Sequence, residues 1–97
     1  MHLETIGVNE LTRIVEDSRQ HPLYVGTSTD PIERSYVHEK TYTGQTVIMY
    51  VAKTENMKTA EDRLLSKCQT REGCPSNIQR RSNAPEAPGY IYAILHE

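Results

Sequence analysis

Leu11, Ile14, Val15 and Ser18 recur at helical spacing, which predicts a helix over about residues 9–20. His21-Pro22 ends it, because a proline ring disfavours helical backbone in the residue before it. Leu23-Tyr24-Val25 reads as a short strand that ends at Gly26. Asp30-Pro31-Ile32-Glu33 has the marks of a helix start: Asp accepts from orphan amides, Pro fits the first turn and Glu sits at the capping-box position. That helix is expected to reach about Lys40, and Thr41 to Gln45, with Gly44, reads as a turn. Thr46 to Ala52 is the clearest strand, rich in β-branched and apolar residues. A further helix covers Met57 to Gln69, and Gly73, Cys74, Pro75 and Ser76 break the chain before a short helix to Arg81. Asn83 to Gly89 is a loop with two prolines, and Tyr90 to Leu95 closes the chain as a strand. The pattern predicts a single α+β domain over residues 1–97. Its core would be a small three-stranded, mostly antiparallel sheet flanked by three or four helices.

Composition alters this picture only a little. The chain has 97 residues, enough for one modest core. It has no Trp and no Phe, so six tyrosines supply all its aromatic character. A buried tyrosine hydroxyl needs a partner, so an all-tyrosine set leans toward a polar interior. No apolar run reaches the ~18 residues of a membrane span. The N-terminus lacks the basic-then-apolar layout of a signal peptide, so Cys68 and Cys74 are expected to be reduced, in a cytoplasmic or nuclear setting. A Cys68–Cys74 bridge is the alternative at that spacing. Net charge is −2, but it is unevenly spread. Residues 1–33 hold two basic and six acidic side chains, whereas residues 53–81 hold seven basic and four acidic. A polyanion needs a local basic face rather than a basic total.

Glu61 is the residue that physics singles out. On a wheel of ~100° per residue, Met57, Ala60, Leu64, Leu65 and Cys68 share one face, and Glu61 falls near its middle. An ionised carboxylate in an apolar setting costs several kcal/mol unless it is paired or binds a metal. The plain alternative is a Glu at a frayed helix start, or one paired with a buried Arg. Arg34 and His38 lie four apart on the preceding helix and share a face, at the edge of the apolar stripe formed by Ile32, Tyr36 and Val37. Arg suits a phosphate because its planar fork donates two hydrogen bonds, and His can relay a proton. On spacing alone such a pair is ordinary solvated surface. Tyr24-Val25-Gly26 followed by Thr-Ser-Thr-Asp is a strand turning into a capped helix, with a glycine that permits close approach of backbone or ligand.

Taken in order, Tyr24-Val25-Gly26, Asp30, Arg34, His38, a strand, and a helix bearing Ala60-Glu61-Asp62-Arg63-Leu64-Leu65 resemble the GIY-YIG nuclease family. The resemblance covers about residues 23–81. Tyr24-Val25-Gly26 would stand for the family's second motif, Arg34 for its arginine and Glu61 for its metal-holding carboxylate. His38 matches a position that often holds His or Tyr. Asn77 resembles the Asn of the last motif. The family opens with a Gly-Ile-Tyr strand just before the second motif, and here a helix stands in that place. The candidate for the missing strand lies at the other end of the chain, in Gly89-Tyr90-Ile91-Tyr92-Ala93-Ile94. The expectation is a circular permutation, with strand 90–95 beside strand 23–26 and Tyr92, or its neighbour Tyr90, at the site. The alternative is a strand that only completes the core.

The resemblance implies hydrolysis of a nucleic-acid phosphodiester, with DNA the expected substrate. Tyr24 or Tyr92 would help deprotonate the attacking water, and Arg34 would hold the phosphate. Glu61 would hold one Mg²⁺ or Mn²⁺, and His38 would relay a proton or touch a second phosphate. Gly26 and Asn77 would approach the substrate, while Lys53, Lys58, Arg80 and Arg81 would bind its backbone electrostatically. A protein partner or an additional domain would supply specificity. Two rival readings remain: a module of the same fold that binds nucleic acid or protein without turnover, and a structural domain whose Glu61 lies away from Arg34 and Tyr24.

Overall fold

The computed structural model describes residues 1–17, 22–69 and 83–97. Seven elements follow in chain order: β1 (His2–Ile6), α1 (Val8–Asp17), β2 (Tyr24–Ser28), α2 (Pro31–Thr41), β3 (Val47–Thr54), α3 (Met57–Gln69) and β4 (Gly89–His96). The strands form one sheet in the order β1-β3-β4-β2. β1 runs parallel to β3, and the other two pairings are antiparallel. The architecture is therefore α+β, as expected, but with a mixed sheet of four strands rather than three.

The additional strand is β1. His2 and Glu4 are exposed and Leu3 and Ile6 are half-buried, so its apolar pattern is thin. Charged residues are a common way to blunt a sheet edge, and they also hide the strand from a reading based on apolar alternation. The helix anticipated at 75–81, together with Cys74, lies outside the described residues.

Side-chain alternation divides the interior into two layers. Val25, Ile48, Ala52, Ile91, Ala93 and Leu95 point to one face of the sheet, where Leu11 and Val15 of α1 and Leu64, Leu65 and Cys68 of α3 cover them. Val47, Met49, Val51, Tyr92 and Ile94 point to the other face. α2 lies on that second side, against β2. β4 is covered on both faces, so Ile91 to Leu95 is buried without interruption. That explains why its sequence is continuously apolar rather than alternating.

The apolar stripe of α2 is not its packed side. Ile32, Tyr36 and Val37 are 59%, 64% and 46% exposed. Arg34 and His38 turn inward instead, and His38 is only 7% exposed. An apolar stripe is a good guide to the packed side of a helix only where the surface it meets is apolar. Here the surface offers tyrosine hydroxyls.

The start of α2 is fixed as its sequence predicts. Asp30 Oδ1 accepts from the Glu33 amide at 3.1 Å, Ser28 Oγ accepts from the Asp30 amide at 2.9 Å, and Pro31 occupies the first turn. Replacing Asp30 with Ala should lower stability by about 1 kcal/mol, read as a reduced urea midpoint with an unchanged slope.

Candidate active site

The site is built around one cross-strand pair. In the β2–β4 ladder Gly26 lies opposite Tyr92. A Cβ on Gly26 would lie 2.7 Å from the Tyr92 hydroxyl and 2.9 Å from the Tyr24 ring. Glycine is thus required here so that the Tyr92 ring can lie across β2. The space a side chain would fill is taken by the protein's own tyrosines, while Gly26 itself still borders the cavity described below.

Tyr92 is almost fully buried, and its hydroxyl lies 2.8 Å from His38 Nε2. The Tyr24 ring packs beside both, with centroids 4.5 Å from His38 and 6.1 Å from Tyr92. Burial, and then the positive charge of Arg34, push the His38 pKa below its ordinary value. Burial also pushes Tyr92 up to about 12, although the guanidinium of Arg34 acts in the opposite sense. Both shifts favour the uncharged forms. The hydrogen bond therefore joins two uncharged groups, and the imidazole tautomer sets which of them donates.

Arg34 sits one helical turn before His38 and reaches toward the same phenols. Its charged form is favoured by hydrogen bonding to Tyr92 and by its proximity to Tyr24. Glu61, on α3, is close enough for its charge to act on Tyr92. Tyr24, Gly26, Arg34, Glu61 and Tyr92 line one open cavity of about 370 Å³. Its walls come from both sides of the sheet, because β2 is an edge strand: Arg34 approaches from α2, while Glu61 and Leu65 approach from α3. The far wall is the segment Asn83 to Pro85.

Not every expected residue arrives there. His38 does not line the cavity; it stands behind Tyr92 and acts on the site through that hydroxyl. This placement argues against the expected second phosphate contact. Lys53 borders a separate groove with Asn56 and Arg63. Lys58 makes an i,i+4 ion pair with Asp62 at 3.7 Å and lies off the cavity too. Asn77, Arg80 and Arg81 fall outside the described residues. Of the two tyrosines of β4, Tyr92 faces the cavity and Tyr90 borders a different groove beside Leu3 and Ile32. Two polar lining residues went unread in the sequence, Thr27 and Asn83. Thr27 directly follows the Tyr-Val-Gly motif, so proximity to it was the one available signal. Nothing local marks Asn83.

Among the described residues no group of three or more His, Cys, Asp or Glu side chains gathers. Likewise, no helix among them is long and apolar enough to cross a membrane. Comparison with models of protein families, with curated proteins and with solved structures returned no significant match.

Two outcomes follow. Gly26→Ala should cost about 1–3 kcal/mol through overpacking against Tyr92, measurable by urea denaturation. The pH dependence has a definite sign. An imidazole that resists protonation when folded penalises the folded state once the unfolded chain begins to protonate, near the ordinary value of 6.5. Stability should therefore fall as pH drops through that value and level off below the depressed folded pKa. Urea midpoints between neutral pH and the carboxylate range should show this slope in the parent and lose it in His38→Gln.

Proposed function

We propose that this chain is a metal-dependent nuclease that hydrolyses a nucleic-acid phosphodiester, in the manner of the GIY-YIG family. One observation carries the reading: Tyr24, Arg34, Glu61 and Tyr92 belong to four different elements and border the same cavity. A purely structural role for Glu61 predicts a carboxylate that is exposed or salt-bridged away from Arg34 and Tyr24, and its place on the cavity they also border supports the functional reading instead. Circular permutation fits as well, because β4 pairs with β2 in the interior of the sheet, where it would act as the family's first strand.

The chemistry of the cavity suits a phosphodiester. Arg34 stays charged and offers a planar fork to phosphate oxygens, and it would offset the negative charge that grows on them in the transition state. The proton of the attacking water would pass to Tyr24, which would act as phenolate and borders the cavity together with Arg34. The water oxygen then bonds to phosphorus, the ester P–O bond breaks, and the departing alkoxide takes a proton from solvent. Tyr92 is the weaker candidate for base, since burial holds its proton in place. With His38 behind it, Tyr92 serves to position Arg34 and Tyr24.

The residues present suit one hard divalent cation. Glu61 offers a single carboxylate at an open polar cavity, where water and substrate oxygens would complete the shell of Mg²⁺ or Mn²⁺. Such an ion supplies charge neutralisation at the phosphate and a more acidic water. DNA is the preferred substrate, in a cytoplasmic or nuclear setting, with specificity drawn from a partner or a further domain. The rival reading, a module that binds nucleic acid without cutting it, is favoured by the retained proton of Tyr92 and by the net charge of −2.

Incubating the protein with plasmid and Mn²⁺, with and without chelator, tests the reading. Cutting should require the ion. Glu61→Ala should abolish it while leaving the fold intact, and Arg34→Ala should slow it by about 10²-fold or more. A Glu61→Ala protein that still cuts would sink the mechanism, and an inert parent protein would favour the binding module.

A further inference from the structure

The polar groups of the cavity fall into two sets. Tyr92, Arg34 and Tyr24 interact with one another, and Glu61 acts on Tyr92 through its charge. Thr27 and Asn83 border the same space, and among the described residues neither side chain has a hydrogen-bond partner. One is a hydroxyl that donates or accepts, and the other is an amide that does both. Both are uncharged.

Their positions are fixed by different means. Thr27 is the residue after Gly26 on β2, held by the ladder opposite Ile91. The wall that carries Asn83 is tied to the start of α3. The Met57 amide donates to Ala87 O at 2.9 Å, and the Ala87 amide donates to Pro85 O at 2.9 Å. Gly89 lies so close under the Met57 side chain that a Cβ there would collide with the sulfur. Pro85 and Pro88 further restrict the backbone. From Pro85 to Gly89 this segment is thus tied to the start of the same helix that presents Glu61, and Asn83 borders the cavity two residues before it. Among the described residues the cavity thus has two neutral polar groups without a hydrogen-bond partner beside Arg34 and Glu61.

We infer that Thr27 and Asn83 hold the sugar–phosphate backbone of a nucleic-acid strand next to the phosphate engaged by Arg34. The inference rests on the nuclease reading for the identity of the ligand. Backbone oxygens are what neutral donors at such a site meet, and these contacts position a strand without reading its sequence. They form on binding and persist through the reaction, so they set affinity and leave turnover nearly unchanged.

The test uses the full chain and a short fluorescein-labelled DNA oligonucleotide, with fluorescence anisotropy in chelator so that no cutting occurs. Thr27→Val and Asn83→Ala should each raise Kd about fivefold, the loss expected for one neutral hydrogen bond. Asn9→Ala, on exposed α1 surface, should leave Kd unchanged. A matching RNA oligonucleotide separates the contacted oxygens: a loss with both strands places the contacts on atoms that DNA and RNA share, and a loss with RNA alone places them on the 2′-hydroxyl. Circular dichroism and urea midpoints check that the variants fold. With Mn²⁺ present, KM should rise in the same proportion while kcat stays within about twofold. Equal binding by the parent and both variants overturns the inference, as does a parent that binds neither strand. A parent that binds without cutting overturns only the nuclease reading, and loss of binding in the variants then still supports this contact set.

Discussion

The arrangement depends on Tyr92 lying across Gly26. Glycine at position 26 removes the one atom that would keep the ring off β2. The ring can then carry its hydroxyl to His38, and His38 fixes where α2 stands. Little of α2's own apolar surface holds it, since Ile32, Tyr36 and Val37 face solvent, and the terminal ammonium adds an ion pair to Glu39 at 3.1 Å. Its attachment is polar and aromatic, through His38, Arg34 and Tyr24. A hydrogen bond of this kind contributes little net free energy when made, but breaking one partner strands the other in a dry environment. The glycine, the tyrosine and the histidine therefore act as a unit, and Arg34 is placed as a consequence.

The location of the cavity follows from strand order. β2 is an edge, so residues from both faces of the sheet can meet around it. Arg34 comes from the layer that holds α2, and Glu61 from the layer that holds α3. An interior strand would keep these layers apart. A positive and a negative side chain thus face one open space without being buried together, and neither bears the full desolvation cost of a buried ion pair.

Parts of the site were legible along the chain for physical reasons. Glu61 stood out because a carboxylate among Met57, Ala60, Leu64 and Leu65 needs an exit to water or a partner, and the cavity provides that exit. Asp30 was readable because a cap is a local hydrogen bond within three residues. Asn83 was not readable, since its place depends on how the segment before β4 is tied to the start of α3. His38 was legible as a residue of interest, but its burial was not. Its burial is decided by Tyr92, 54 positions further along the chain.

The sequence alone determined α1, α2 and α3, the three apolar strands and the residue types of the candidate site. Helical and strand periodicities, caps and proline breaks are properties of neighbours in the chain. The neighbourhood of β4 and β2 was expected from the resemblance, but only the tertiary structure decided the register that sets Tyr92 opposite Gly26, that a fourth strand closes the far edge, and that α2 turns Arg34 and His38 inward. Those outcomes depend on which surfaces find each other across long separations, and a hydrophobic pattern marks a surface without naming its partner.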